Sequence, residues 1–184
     1  MQHDPTAPRI VVTSGMSGTG VSSISAHLQE AAPGLNIMDA GSKWTDITEA
    51  CASGFARIIV VTTHDIIAIS SAYALIKLAR ETFTDAPLEV LVNTSEERDG
   101  LKTYERIQVA CSHFLGETVG YAGSVPYDAV EQEPAEMRAM QLTRATLGAL
   151  AVAALDNLAT RLDEELGATV PRGSWRHGER RAAL

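Results

Sequence analysis

The residues whose types and spacing could do chemistry stand close to the start of the chain, in Ser14-Gly15-Met16-Ser17-Gly18-Thr19-Gly20-Val21-Ser22-Ser23. Three glycines within six positions let successive backbone N–H groups turn toward one point, and the helical segment that follows aims its positive end at the same place. The chemistry of such a loop is capture of a phosphate. The pattern GxxxxGK(S/T) can be laid on Gly15, Gly20, Val21 and Ser22, which puts Val21 where a lysine would stand. Ser22 keeps the hydroxyl that would hold Mg²⁺, while the cation that would reach the β- and γ-phosphates is missing. Its loss removes a charge-assisted contact of about 1.5 to 3 kcal/mol. The loop is therefore either a cradle working through its backbone or a vestigial tight turn. Its candidate contacts are Gly15, Ser17, Gly18, Thr19, Gly20, Ser22 and Ser23.

Three further residues belong with the loop only if the chain folds so as to bring them there. Asp39 could hold Mg²⁺ through water opposite Ser22, or it could cap the turn that follows it. Asn93 offers a donor and an acceptor to the edge of a base, and it is equally an ordinary turn former at a strand end. His64 reads as a loop residue rather than a general base.

The elements that would position them alternate. Arg9 to Thr13 reads as a strand, Val21 to Ala32 as a helix closed by Pro33-Gly34, and Leu35 to Met38 as a short strand ending in Asp39. Trp44 to Ser53 reads as a helix with Thr45 a possible cap. Arg57 to Thr62 is a continuous β-branched run of the kind buried on both faces of a parallel sheet. Ile66 to Phe83 (helix), Leu88 to Val92 (strand), Ser95 to Phe114 (helix, acidic at Glu96 and Glu97) and Val119 to Ser124 (strand) follow. An alanine- and leucine-rich region from Pro134 to Leu166 predicts one or two helices. Strands separated by helices make βαβ units with right-handed crossovers, so the expected fold is α/β: a three-layer sandwich around a mainly parallel sheet of about five strands. The carboxyl ends of such strands carry the site, and the loop, Asp39, Thr62 to Asp65 and Asn93 all fall there.

The bounds are consistent with one domain. The 184 residues are 45% hydrophobic, enough for one compact core. Residues 1–8 read as a flexible N-terminus, 9–166 as the domain, and 167–184 as a basic, disordered tail carrying Arg172, Arg176, Arg180 and Arg181 around Trp175. A net charge of −8 argues against general nucleic-acid binding. Cys51 and Cys111 are far apart and lack metal spacing, as expected of buried thiols in a reducing cytoplasm. Met1 to Pro8 is polar and proline-punctuated, so no secretion signal is expected there. No apolar run approaches a membrane span, and Pro171, Gly173 and Gly178 break any amphipathic helix in the tail, so membrane attachment is not expected either.

In these residues the chain resembles the MinD/ParA-type deviant P-loop ATPases, and among them the flagellar-number regulators called FlhG or FleN. Their loop reads approximately SGKGGVGKTS, so Met16 stands at the signature lysine that reaches a partner's nucleotide across a dimer, and Val21 at the ordinary P-loop lysine. The likeness resumes at Asp39-Ala40-Gly41, similar to the family's second acidic motif, and at Ser70-Ser71-Ala72-Tyr73-Ala74-Leu75-Ile76-Lys77-Leu78, similar to S-x-x-DAYALIKLL. It continues through Val90-Leu91-Val92-Asn93, where Asn93 resembles the family's adenine-reading Asn, and Gly120-Tyr121-Ala122-Gly123-Ser124-Val125-Pro126-Tyr127-Asp128. It covers about residues 9 to 128, with one gap: the family's strand and switch segment between the first helix and the acidic motif is missing. That deletion leaves a single short crossover, which predicts adjacent parallel strands at Ile10 and Ile37.

The resemblance implies ATP or ADP with Mg²⁺ as cofactor, or no cofactor if the loop has lost its function. It also implies protein partners of the flagellar GTPase or transcription-regulator kind, and a homodimer. With both lysines and the switch absent, the expected function is a regulator or scaffold of the flagellar-number or polar-positioning type that does not hydrolyse ATP. The alternatives are an active ATP hydrolase of the same family and, from the wording Gly18-Thr19-Gly20-Val21-Ser22-Ser23, a dethiobiotin-synthetase-like ligase.

Overall fold

β-Branched residues crowd the pleated surface of a strand with little loss of side-chain freedom, and the runs rich in them form the centre of this molecule. The computed structural model describes residues 9–52, 54–84, 86–94, 97–126 and 147–167. In chain order the elements are β1 (Arg9–Ser14), α1 (Val21–Ala31), β2 (Asn36–Asp39), α2 (Trp44–Ala52), β3 (Arg57–Thr62), α3 (Ile66–Thr82), β4 (Leu88–Thr94), α4 (Glu97–Leu115), β5 (Gly120–Pro126) and α5 (Ala149–Gly167). The five strands form one parallel sheet in the order β2-β1-β3-β4-β5. Ile10 pairs with Ile37 and Val12 with Asp39, so β1 and β2 are adjacent and parallel, as the short crossover predicted.

Alternation along each strand divides the core into two layers. Val11, Ile58, Val60, Val90 and Val92 point to one face and pack with Ile47 of α2, Ala72 and Ile76 of α3, and Ile107 of α4. Ile10, Val12, Ile59, Val61 and Leu91 point to the other, against Ile24 and Leu28 of α1 and Leu155, Leu158 and Leu162 of α5. A sheet covered on both faces explains why β3 reads as an unbroken apolar run.

Charged groups tie α5 to the amino ends of the strands. Arg57 at the start of β3 pairs with Glu89 of β4 and with Glu165 of α5 (2.7 Å), and Arg161 reaches both Glu89 (3.2 Å) and Glu165 (3.4 Å). Between the helices on that face, His27 of α1 contacts Asp156 of α5 at 2.9 Å.

The elements depart from expectation mainly at their ends. Thr45 is not a cap: α2 begins at Trp44, the Lys43 carbonyl accepts from the N–H groups of Asp46 and Ile47, and the Thr45 hydroxyl donates to the Asp46 carboxylate. β4 runs on to Thr94 and β5 to Pro126, because each keeps its neighbour paired through Asn93↔Val125 and Thr94↔Pro126. α4 begins at Glu97, while Ser95 and Glu96, where its start was expected, the terminus 1–8, the region before α5 and the basic tail lie outside the described residues.

Candidate functional site

All five strands run the same way, so the turns after β1, β2, β3 and β4 meet at one edge of the sheet. The glycine-rich loop leaves β1 at Ser14 and is anchored there by the neighbouring turn. The Gly41 carbonyl accepts from the Ser14 N–H (3.1 Å) and from the Thr13 hydroxyl (2.9 Å). Ser14 closes the first bend with its own hydroxyl, which donates to the Met16 carbonyl. Gly15 then passes over the backbone of α3: a Cβ there would stand 2.2 Å from the Ser71 carbonyl oxygen, so no other residue fits without moving a helix.

Gly18 and Gly20 have φ of 82° and 93°, in the left-handed region that glycine enters at no steric cost. Gly20 is also the N-cap of α1. It offers no side chain to the first turn, so the α1 N–H groups remain open toward the loop. α3 differs at the same sheet edge, because the Asp65 carboxylate accepts from Ile67 N–H at 2.8 Å and closes its own helix. An anion arriving at this edge therefore finds donors at α1 and a carboxylate at α3.

The structure brings several of the candidate residues together. Asn93 at the end of β4 donates its amide to the Thr19 carbonyl at 3.0 Å, and its nitrogen would be 2.6 Å from a Cβ at Gly20. Asn93 thus braces the loop from beneath. Thr19 is 3% exposed and its hydroxyl has no partner among the described residues. Ser17, Gly18, Ser22 and Asp39 are exposed, and Ser23 is half-buried. Asp39 uses one carboxylate oxygen on the Gly41 N–H at 2.9 Å, an Asx turn that holds the β2–α2 connection in shape. His64 is exposed, as expected of a loop residue. Among the described residues no group of three or more His, Cys, Asp or Glu could hold a metal ion.

The residue at the lysine position has a different role here. Val21 is only 7% exposed and belongs to the core cluster between α1 and the sheet. Met16 is 36% exposed, and Ile66 (69%) and Ile67 (64%) are uncovered on the first turn of α3 at the same edge. Two contributors escape sequence reasoning. Thr13 and Gly41 join the loop to the β2–α2 turn through bonds between positions far apart in the chain, which no local pattern signals. Lys43 lies in that turn, exposed, with its side chain in no hydrogen bond or ion pair among the described residues. The only signal for it is its place shortly after an acidic strand end.

No protein-family model matches the chain, and no curated protein matches it. Among solved structures it is similar to the MinD cell division protein of Aquifex aeolicus, with a TM-score of 0.59 and 14% identity over 90% of this chain and 99% of the other. It is also similar to MinD in the MinC:MinD cell division protein complex of Aquifex aeolicus, with a TM-score of 0.53 and 16% identity over 92% and 100% of the two chains. At these identities the likeness is one of fold: a five-stranded parallel sheet with helices on both faces, in the MinD arrangement.

Proposed function

We propose that the chain is a MinD/ParA-like regulator or scaffold, of the flagellar-number or polar-positioning type, which acts through protein contacts and does not hydrolyse ATP. The observation that carries this reading is Val21. Its side chain is part of the core where the loop would otherwise present a lysine, and Met16 replaces the second lysine with an exposed thioether. Phosphoryl transfer depends on cations placed around the γ-phosphate, and the loop itself supplies none. What the loop retains is the binding half of the device: open α1 N–H groups, left-handed glycines and the Asn93 brace.

ATP or ADP fits that remainder as a ligand that is held rather than consumed. Ser22 and Asp39 fit Mg²⁺ by donor type, since both are exposed oxygen ligands at the same sheet edge and Asp39 uses only one oxygen on Gly41. Protein contacts are supported by Met16, Ile66 and Ile67, three large apolar side chains exposed around the loop. The MinD of one similar structure is held in a complex with MinC. A partner protein, or a second copy of this chain, is the reading these surfaces favour.

The test is phosphate release from ATP with Mg²⁺ by the purified protein, expected at the rate of a buffer control. The Met16→Lys, Val21→Lys double variant is expected to gain more in nucleotide binding than in turnover. Steady-state release by the unaltered chain that disappears in Ser22→Ala would overturn the reading in favour of an active hydrolase.

A further inference from the structure

We infer that Lys43 supplies, from the β2–α2 turn, the positive charge that the glycine-rich loop lacks, and that it holds the terminal phosphate of a nucleoside diphosphate or triphosphate. The inference rests on the reading of the loop as a phosphate cradle and adds the residue that completes it.

Position comes first. The Gly41 carbonyl is bonded to both Thr13 and Ser14, so the turn bearing Lys43 is fastened to the stem of the loop and cannot drift from it. Lys43 stands two residues beyond that fastening. Its own carbonyl accepts from Asp46 and Ile47, which makes it the N-cap of α2 and sets its Cα at the carboxyl edge of the sheet. From there a flexible four-carbon stem gives the ammonium reach beyond its own turn.

Electrostatics then asks why a lysine is there at all. A helix N-cap favours Ser, Thr, Asp or Asn, and the positive end of the helix dipole repels a cation. Lys43 provides no side-chain cap to α2, and its ammonium has no hydrogen-bond or ion-pair partner among the described residues. A bound anion reverses the sign of this arrangement, because it attracts the ammonium and is favoured by the open α1 N-terminus as well. In the same loop the Thr19 hydroxyl is buried without a hydrogen-bond partner among the described residues. Among the described residues Arg98 also lies near this edge, but it follows β4, which is separated from β1 by β3.

The test is calorimetric titration of the full chain with ADP and, separately, with inorganic pyrophosphate, each with Mg²⁺ and with adenosine as control. Lys43→Ala is expected to weaken ADP and pyrophosphate binding by about tenfold, as loss of a charge-assisted contact should. Lys43→Arg is expected to retain most of the affinity, and adenosine binding should not respond to either change. Because Lys43 is exposed, the thermal melting of the variants should match that of the parent. Equal affinities for the parent and Lys43→Ala would overturn the assignment, and so would a parent chain that binds neither compound. Both results would leave the non-hydrolysing regulator standing, since that reading is decided by phosphate release.

Discussion

Residue by residue, the loop is governed by close approach, and its glycines are not equivalent. A methyl group at Gly15 would meet the Ser71 backbone, whereas one at Gly18 would meet only open space and pay for its left-handed φ alone. Gly15→Ala is therefore expected to lower thermal stability by at least about 1–3 kcal/mol, and Gly18→Ala by less, as read from denaturation midpoints. The missing lysines, the Ser22 hydroxyl and the glycine spacing were all legible in the sequence because they lie within ten consecutive positions. The Gly15–Ser71 approach and the Asn93–Thr19 bond were not, because they join elements that only the finished sheet brings together. The thiols behave as the sequence predicted. Burial pushes the Cys51 pKa up to about 12, with Arg9 opposing the shift, and burial likewise raises Cys111 against the influence of Arg80. Neither should react with a thiol reagent at pH 8 until denaturant is added; labelling of the folded protein would contradict their placement.

At the level of elements, hydrophobic runs and the starts of α1, α2 and α3 announced themselves, and the contacts between elements did not. Arg57–Thr62 was legible because both of its faces are buried beyond Arg57, so every position from Ile58 to Thr62 is β-branched. The start of α2 at Trp44 was placed correctly, but its cap was not, because the cap is Lys43, a residue type that carries no capping signal. The charged anchoring of α5 could not be foreseen, since it depends on Arg57, Glu89, Arg161 and Glu165 from three separate segments. That cluster makes the docking sensitive to acid. Burial works to raise the Glu165 pKa, but hydrogen bonds and charge from Arg57 and Arg161 outweigh it and hold the carboxyl below its ordinary value of 4.5. A carboxylate depressed in the folded state contributes stability above its unfolded value and loses it as pH falls through the folded one. Chemical denaturation midpoints should therefore decline below about pH 4.5, and Glu165→Gln should flatten that decline. Leu155, fully buried on the sheet-facing side of α5, provides the apolar counterpart: Leu155→Ala is expected to cost about 2–5 kcal/mol in equilibrium unfolding.

For the molecule as a whole, the α/β class and the β1–β2 adjacency followed from the alternation of elements and from one short crossover. No described helix is long and apolar enough to cross a membrane. With a net charge of −8 and a tail that has basic residues but no apolar face, the full chain is expected to stay in the supernatant with anionic liposomes at physiological salt. Co-sedimentation that is abolished by truncation after Leu166 would instead give the tail a targeting role. The outer strands of the sheet have a consequence of their own. β2 has only four residues, and β5, at the opposite margin, carries two glycines and a register slip opposite Val90 and Leu91. Short or irregular margins are poor templates for a foreign strand, because the unpaired N–H and C=O groups do not form a long, straight row. Neither margin of the described sheet gives another chain a clean seam to zip onto.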